Sequence, residues 1–401
     1  MGLYGSVIAG IDRKYGSQLA EVILNYRTHI VSSLSEIGQP AWDALVALQP
    51  EPNPFLSFAF LHALHESGSA APETGWQPQY IALYDADDAL AAALPLYVKG
   101  HSYGEYVFDW AWANAYQEHG LDYYPKLLSA IPFTPVTGPR LLARDARARA
   151  ALVDVLVATQ KATDVSSTHV LFPPDDQAQQ LAAAGFLLRS GVQFHWINGG
   201  YATFDDFLAT LEHKKRKNIR AERRKVRDAG ITLRRVRGPD ILDEDWRFFT
   251  RCYRNTYAEH FSKPYLNLDF FRRIGKTMPD NLLLVIAERD GRPIAASLVV
   301  HDATTLYGRY WGALEHVPCL HFEAAYYQPL EFCIEQGIQV FEGGAQGEHK
   351  MARGFLPTRT WSAHWLAHPS FANAVERFLE REAGGIDDYI DELNDRNPFR
   401  T

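Results

Sequence analysis

Cysteine is scarce in this chain, with Cys252, Cys319 and Cys333 its three thiols. An odd number without metal-ligand spacing excludes a disulfide framework and points to a reducing compartment. Cys333 sits on an apolar helical stretch, where a thiol behaves as a small hydrophobe. Long apolar runs are missing as well. No stretch reaches the roughly eighteen apolar residues that a membrane-spanning helix needs. The short apolar residues 7–9 run at once into Asp12, Arg13 and Lys14, too little for a secretory leader. The expectation is a cytoplasmic protein without a membrane span. No Ser/His/Asp or Cys/His pattern stands out, which argues against a covalent acyl-enzyme.

What is present is ordinary globular material, 47% apolar and 22% charged over 401 residues, long enough for two domains. Charge is unevenly spread. Residues 213–237 hold twelve Lys or Arg against Glu222 and Asp228, net +10, which leaves −18 on the rest of a chain whose total is −8. One basic segment on an acidic protein predicts a local anion site rather than a surface that coats nucleic acid, and no DNA partner is expected. Two segments predict hairpins: residues 80–84 and 91–97 around a turn at 85–88, and residues 283–287 and 294–300 around Asp290-Gly291.

An internal echo goes further. AAGFLLRSGVQFHW (183–196) and ARGFLPTRTWSAHW (352–365) agree at six of fourteen positions, with Gly-Phe-Leu and His-Trp in register. Helical runs at 145–161 and 322–336 lead into strands at 169–172 and 338–341, each ahead of its copy of the motif. That order predicts duplication of a whole α/β unit. Residues 1–30 read as an extension, 31–197 as the first domain, 198–238 as a basic linking helix region and 239–401 as the second domain. Spacing at Phe371, Val375, Phe378 and Leu379 predicts a C-terminal amphipathic helix packed on the second domain.

The segment 211–236 resembles the basic helix joining the two halves of Fem-type aminoacyltransferases. His101-Ser102-Tyr103-Gly104-Glu105-Tyr106-Val107-Phe108-Asp109, PFTPVTGPRLL (132–142), LYGRYWGALE (306–315) and GAQGEHKMARGF (344–355) are similar to the FemAB-like proteins labelled peptidoglycan biosynthesis/recognition, from about Asn53 onward. The resemblance implies an α/β fold of two tandem GNAT-like (acyl-CoA N-acyltransferase-type) domains, each a mixed twisted sheet flanked by helices. It implies transfer of an aminoacyl group from aminoacyl-tRNA to an amine of a peptide-like or nucleotide-linked acceptor, with no tightly bound cofactor and no metal. Two other readings stay open: an acyl-CoA-dependent N-acyltransferase of a small amine, and a non-catalytic module that recognises wall peptide.

Amide formation needs a neutral amine, donors for the tetrahedral oxyanion and an anchor for the acyl carrier. A GNAT domain normally anchors pyrophosphate on a glycine loop after its fourth strand. Here that loop reads His316-Val317-Pro318-Cys319-Leu320-His321-Phe322-Glu323, without glycine and with one amide lost to Pro318. The glycines lie instead at Gly343, Gly344 and Gly347, ahead of Glu348, His349, Lys350 and Arg353. Glycines let amides approach an anion, and the two cations add fixed charge. By resemblance Lys350 matches the basic residue that contacts the donor or the developing charge. The bland reading is a surface turn with a solvated basic pair.

The candidate catalytic residues are therefore Lys350, Glu342, Tyr310 and Asp109. Gly344, Gln346, Gly347, His349, Arg353, Arg309, Lys214, Lys217, Arg220 and Tyr103 are the candidate donor- or substrate-binding residues. Lys214, Lys217 and Arg220 would meet the phosphates of a tRNA or a nucleotide, and the absence of interleaved aromatics argues against reading bases. Glu105 and Asp109 are expected on an aromatic strand. Tyr307 and Arg309 are expected on one face of the central strand.

Overall fold

The structure, a computed structural model, describes residues 26–344 and 347–400, so most of the expected extension and Gln346 lie outside the described residues. Among the described residues the strands in chain order are β1 (Arg27–Val31), β2 (Trp76–Pro78), β3 (Tyr80–Tyr84), β4 (Leu90–Leu94), β5 (Tyr97–Lys99), β6 (Lys126–Ser129), β7 (Leu142–Ala143), β8 (Ser167–Leu171), β9 (Leu187–Ile197), β10 (Ile231–Arg237), β11 (Leu282–Arg289), β12 (Arg292–His301), β13 (Thr305–Ala313), β14 (Val340–Glu342) and β15 (Leu356–Leu366). The chain forms two compact units. Of the described residues, unit 1 comprises those up to Gly191 together with Thr360–Ile386, and unit 2 comprises those of Val192–Arg359 and those from Asp387 on.

In unit 1 the predicted hairpin pairs β3 with β4, closed by Asp85, whose carboxylate accepts from the amides of Asp87 and Ala89, both at 3.0 Å. Pro95 cannot donate to a ladder and interrupts the chain between β4 and β5. β5 pairs antiparallel with β2 and β6, and β6 runs parallel to β8. A parallel pair needs a crossover, supplied here by the helix Ala146–Ala162. That helix starts where the Asp145 carboxylate accepts from the Ala148 amide at 2.8 Å. Its buried face (Leu152, Val153, Leu156) packs on Ile81, Leu83 and Leu94.

Unit 2 repeats the plan. β10, β11, β12 and β13 form an antiparallel run, and β13 is parallel to β14. The intervening crossover contains a π-helical turn, Glu323–Tyr327, ahead of the helix Gln328–Gln336, which ends at Gly337 in the left-handed region. His195 to Ile197 of β9 close this sheet against β14, while Ser362 to Leu366 of β15 close the sheet of unit 1 against β8. The two repeated motifs therefore supply each other's closing strand: the first-half motif completes unit 2, and the second-half motif completes unit 1. The C-terminal helix Pro369–Asp395 differs from expectation for the same reason. Its Val375 and Leu379 pack on Trp112 and Tyr116 of unit 1, and Leu393, near its end, belongs to the core of unit 2. Among the described residues no helix is long and apolar enough to cross a membrane.

Candidate active site

In unit 2 the β13–β14 ladder ends at Tyr307 and Glu342, and the glycine turn begins there. Gly344 and Gly347 hold φ +87° and +118°, backbone that side-chain-bearing residues rarely adopt. A Cβ on Gly343 would stand 3.1 Å from Lys350 Cδ and 3.0 Å from the Phe355 ring, so glycine there admits the lysine stem. Lys350 follows on a 3₁₀ turn, Glu348–Arg353, that ends at Gly354. Its side chain folds back into the turn, 2% exposed, and Nζ donates to the Gly344 carbonyl at 2.9 Å. Among the described residues no carboxylate forms an ion pair with it. Burial pushes its pKa down to about 8. The solvated basic pair is thereby excluded: Lys350 is a buried ammonium without a neutralising partner among the described residues.

Across β14, Glu342 stands opposite His195 of β9, with Oε2 and Nε2 3.9 Å apart. Burial, and then the Lys350 charge, push the His195 pKa down to about 4, so the ring is neutral at physiological pH. His349 reaches the Tyr326 hydroxyl at 3.3 Å, and His321 stands beside Tyr326 and Trp311. Burial, then His349, Arg353 and Lys350, lower His321 to about 4.

Arg353 is as buried as Lys350 but fully engaged. It donates to Glu222 at 2.9 Å, to the Tyr327 hydroxyl at 3.0 Å and to the His349 carbonyl at 2.7 Å, and its guanidinium lies 3.5 Å over the Phe322 ring. These contacts fix the turn to the basic helix His213–Asp228 and to the crossover. The same helix is held a second time by Arg223, which grips the buried Glu323 at 3.0 and 3.1 Å and Glu331 at 2.6 Å. On its outer face Lys214, Lys217, Arg224, Lys225 and Arg227 are exposed, and Arg220 pairs with Asp205.

Arg309 and Tyr310 form a separate grouping on β13. The register steps from Gly308 to Tyr310 against one step on β12, so Arg309 is the extra residue of a β-bulge. The bulge breaks the alternation that put Tyr307 and Arg309 on one face. Arg309 donates to the Tyr310 hydroxyl at 3.3 Å, and the Tyr310 ring packs edge-on against Tyr253 and Phe271.

Asp109 and Tyr103 belong to unit 1, on a loop rather than the expected strand. Gly104 and Tyr106, at φ +82° and +62°, turn the chain there and bring Ser102, Glu105 and Asp109 onto one buried ammonium. Lys126 Nζ donates to Ser102 at 2.7 Å, to Glu105 at 2.8 Å and to Asp109. Asp109 also accepts from Tyr123 at 2.8 Å, and the chain of contacts continues through His169 to His364. Burial raises the Asp109 carboxyl, but Lys126 and then His169 outweigh it and hold the group below the usual carboxylate range. Glu105 goes the other way, burial raising it to about 7 against Lys126. Such a network fixes a loop. Tyr103 is exposed on that loop, its carbonyl accepting from Lys99 at 3.3 Å.

Sequence reasoning missed His195, Glu222, Tyr326, Tyr327 and Lys126. The repeat motif marked His195 without a role, nothing local to Glu222 and Tyr327 announces that they meet across 105 residues, and Lys126 and Tyr326 reach partners that only the fold brings to them.

The family described as FemAB-like, peptidoglycan biosynthesis/recognition, matches residues 33–401. The chain belongs to the FemAB-like family. No curated protein matches its sequence. The crystal structure of FemX superposes with a TM-score of 0.54 at 13% identity, covering 87% of this chain and all of FemX (100%). The C-terminal domain of a putative lysylphosphatidylglycerol synthetase from Agrobacterium fabrum gives 0.50 at 11% identity over 85% of this chain and 95% of that one. A conserved protein of unknown function from Bacteroides thetaiotaomicron gives 0.51 at 12% identity over 84% and 99%. At such identities the likeness establishes the fold, the mixed α/β architecture of the FemAB-like chain. Among the described residues no group of His, Cys, Asp and Glu is arranged to hold a metal.

Proposed function

We propose that this FemAB-like protein is an N-acyltransferase that forms an amide at the Lys350 turn, moving an aminoacyl group from aminoacyl-tRNA to an amine of a peptide-like or nucleotide-linked acceptor of peptidoglycan metabolism, in the cytoplasm. The observation that carries the reading is the Lys350 ammonium, buried on a glycine turn where it donates to the Gly344 carbonyl and no carboxylate among the described residues pairs with it. A buried cation of this kind favours a state in which negative charge develops beside it, as on the carbonyl oxygen of a tetrahedral intermediate. Two features favour a tRNA carrier over acyl-CoA. The loop at Pro318 lacks the glycines that cradle a pyrophosphate, and the exposed cations of the basic helix offer a phosphate-binding face instead. FemX and the lysylphosphatidylglycerol synthetase domain share the fold, which is compatible with an aminoacyl donor.

Total tRNA charged with radiolabelled amino acids, and in a second arm radiolabelled acetyl-CoA, would be incubated with the protein and a nucleotide-linked peptide precursor. Label that survives mild alkali, which hydrolyses esters and thioesters, measures amide. We expect transfer from the tRNA arm, reduced about a hundredfold or more by Lys350→Met. Transfer from acetyl-CoA alone would move the reading to an acyl-CoA enzyme. Transfer from neither would leave a recognition module.

A further inference from the structure

We infer that His195 is a catalytic residue of this site, the acceptor of the proton that the attacking amine loses, with Glu342 steadying the imidazolium that results. The inference rests on the amide-forming reading above and names the base that reading lacks. Its starting point is a contrast between two copies of one motif. His364, in the second copy, is satisfied on both sides within unit 1: Nε2 meets Ser362 at 2.8 Å and Nδ1 meets His169 at 2.7 Å. His195, at the matching position of the first copy, is also buried, 9% exposed against 1% for His364, yet its Nε2 has no hydrogen-bond partner among the described residues. Buried ring nitrogens are ordinarily paired. An orphan in one copy, where the other shows how the fold satisfies it, marks a place kept for something else.

The surroundings say what. Two charged groups face the ring, Glu342 from β14 and Lys350 from the glycine turn. Direct opposition in the β9–β14 ladder places the His195 and Glu342 side chains on one face of the sheet. Lys350 and burial keep the imidazole neutral at rest, which leaves one ring nitrogen with a lone pair. Once that nitrogen takes a proton, the 3.9 Å separation from Glu342 becomes an ion pair able to tighten into a charge-assisted hydrogen bond.

The step balances without a further reagent. The neutral amine attacks the acyl carbonyl, the N–C bond forms, and the negative oxygen develops against Lys350. The nitrogen's extra proton passes to His195 Nε2. The C–O bond to the donor ribose then breaks, and the departing oxygen takes the proton from His195. One amine and one ester give one amide and one hydroxyl.

The test uses the full chain in the alkali-stable label assay, with His195→Gln, His195→Asn and Lys350→Met. Base catalysis predicts a kcat loss of about a hundredfold or more in both histidine variants, with the KM for charged tRNA unchanged. The acid limb of the pH profile should vanish, and Glu342→Gln should show a smaller kcat loss. Nitrogen-15 spectra of the histidine rings give a readout free of turnover: His195 should stay neutral at pH 7, and Lys350→Met should raise its pKa. Histidine variants within twofold of the parent, alongside an inactive Lys350→Met, would overturn the inference and leave the proposed function standing. So would a His195 ring already protonated at pH 7. Absence of any amide from the parent protein would end both.

Discussion

Lys350 and Lys126 are both buried ammonium groups, and their partners separate their uses. Lys126 sits among Glu105, Asp109 and Ser102, a geometry in which a charge is neutralised. Removing one member of such a pair strands the other. Asp109→Asn should therefore cost about 3 kcal/mol or more, read as a lower denaturant midpoint at pH 7. Because the Asp109 carboxyl is held below its ordinary range, its stabilisation is present at neutral pH and fades as pH falls below the usual carboxylate range. Glu105, raised to about 7, carries the opposite sign, and Glu105→Gln should be tolerated far better. Lys350 has no such partner among the described residues, so its variants should change turnover more than stability. Its ammonium is lost as pH rises through about 8, and kcat should fall along that limb, with the limb absent in Lys350→Arg. The sequence announced Lys350 through its glycines. It misread Asp109, because an aromatic run looks like a strand until the positive-φ turns at Gly104 and Tyr106 are known.

At the scale of elements, the basic helix has two faces with different tasks. Arg223 faces inward onto the buried Glu323, and Glu222 onto Arg353, so these hold the helix, the π-helical turn and the glycine turn as one piece. Arg223→Ala should destabilise by about 3 kcal/mol, since it leaves Glu323 buried without its counter-charge. Lys214 and Lys217 face outward, unpaired by any carboxylate among the described residues. The double change Lys214→Gln, Lys217→Gln should leave the melting midpoint within a degree or so, weaken charged-tRNA binding and flatten its log–log salt dependence by roughly 1.5. Counting charges located this helix, whose buried residues are Ile219 and Val226. Which cations are free could not be read there, because pairing depends on carboxylates that the fold brings from a hundred residues away. The bulge that sets Arg309 out of phase was equally invisible, being a property of the β12–β13 register.

For the whole molecule, the repeat predicted two α/β units, and two units with the same antiparallel-then-parallel order are found. What the repeat could not convey is which copy closes which sheet, since strand pairing at that distance leaves no periodic signal in the chain. The closing strand of unit 1 comes from residues beyond Thr360, so the first half of the sequence lacks a strand that its own sheet uses. A chain cut back to residues 26–197 leaves β8 as an exposed edge, with the faces of Trp112 and Tyr116 stripped of Val375 and Leu379. It should aggregate or give a collapsed proton spectrum with poor dispersion. Joining residues 360–386 to the same fragment through a short flexible linker should restore dispersed spectra and a cooperative unfolding transition. A fragment 26–197 that unfolds cooperatively without them would show that the exchanged strand is dispensable. The pairing of β8 with β15, His169 against His364 included, would then be a late addition to a unit already stable alone.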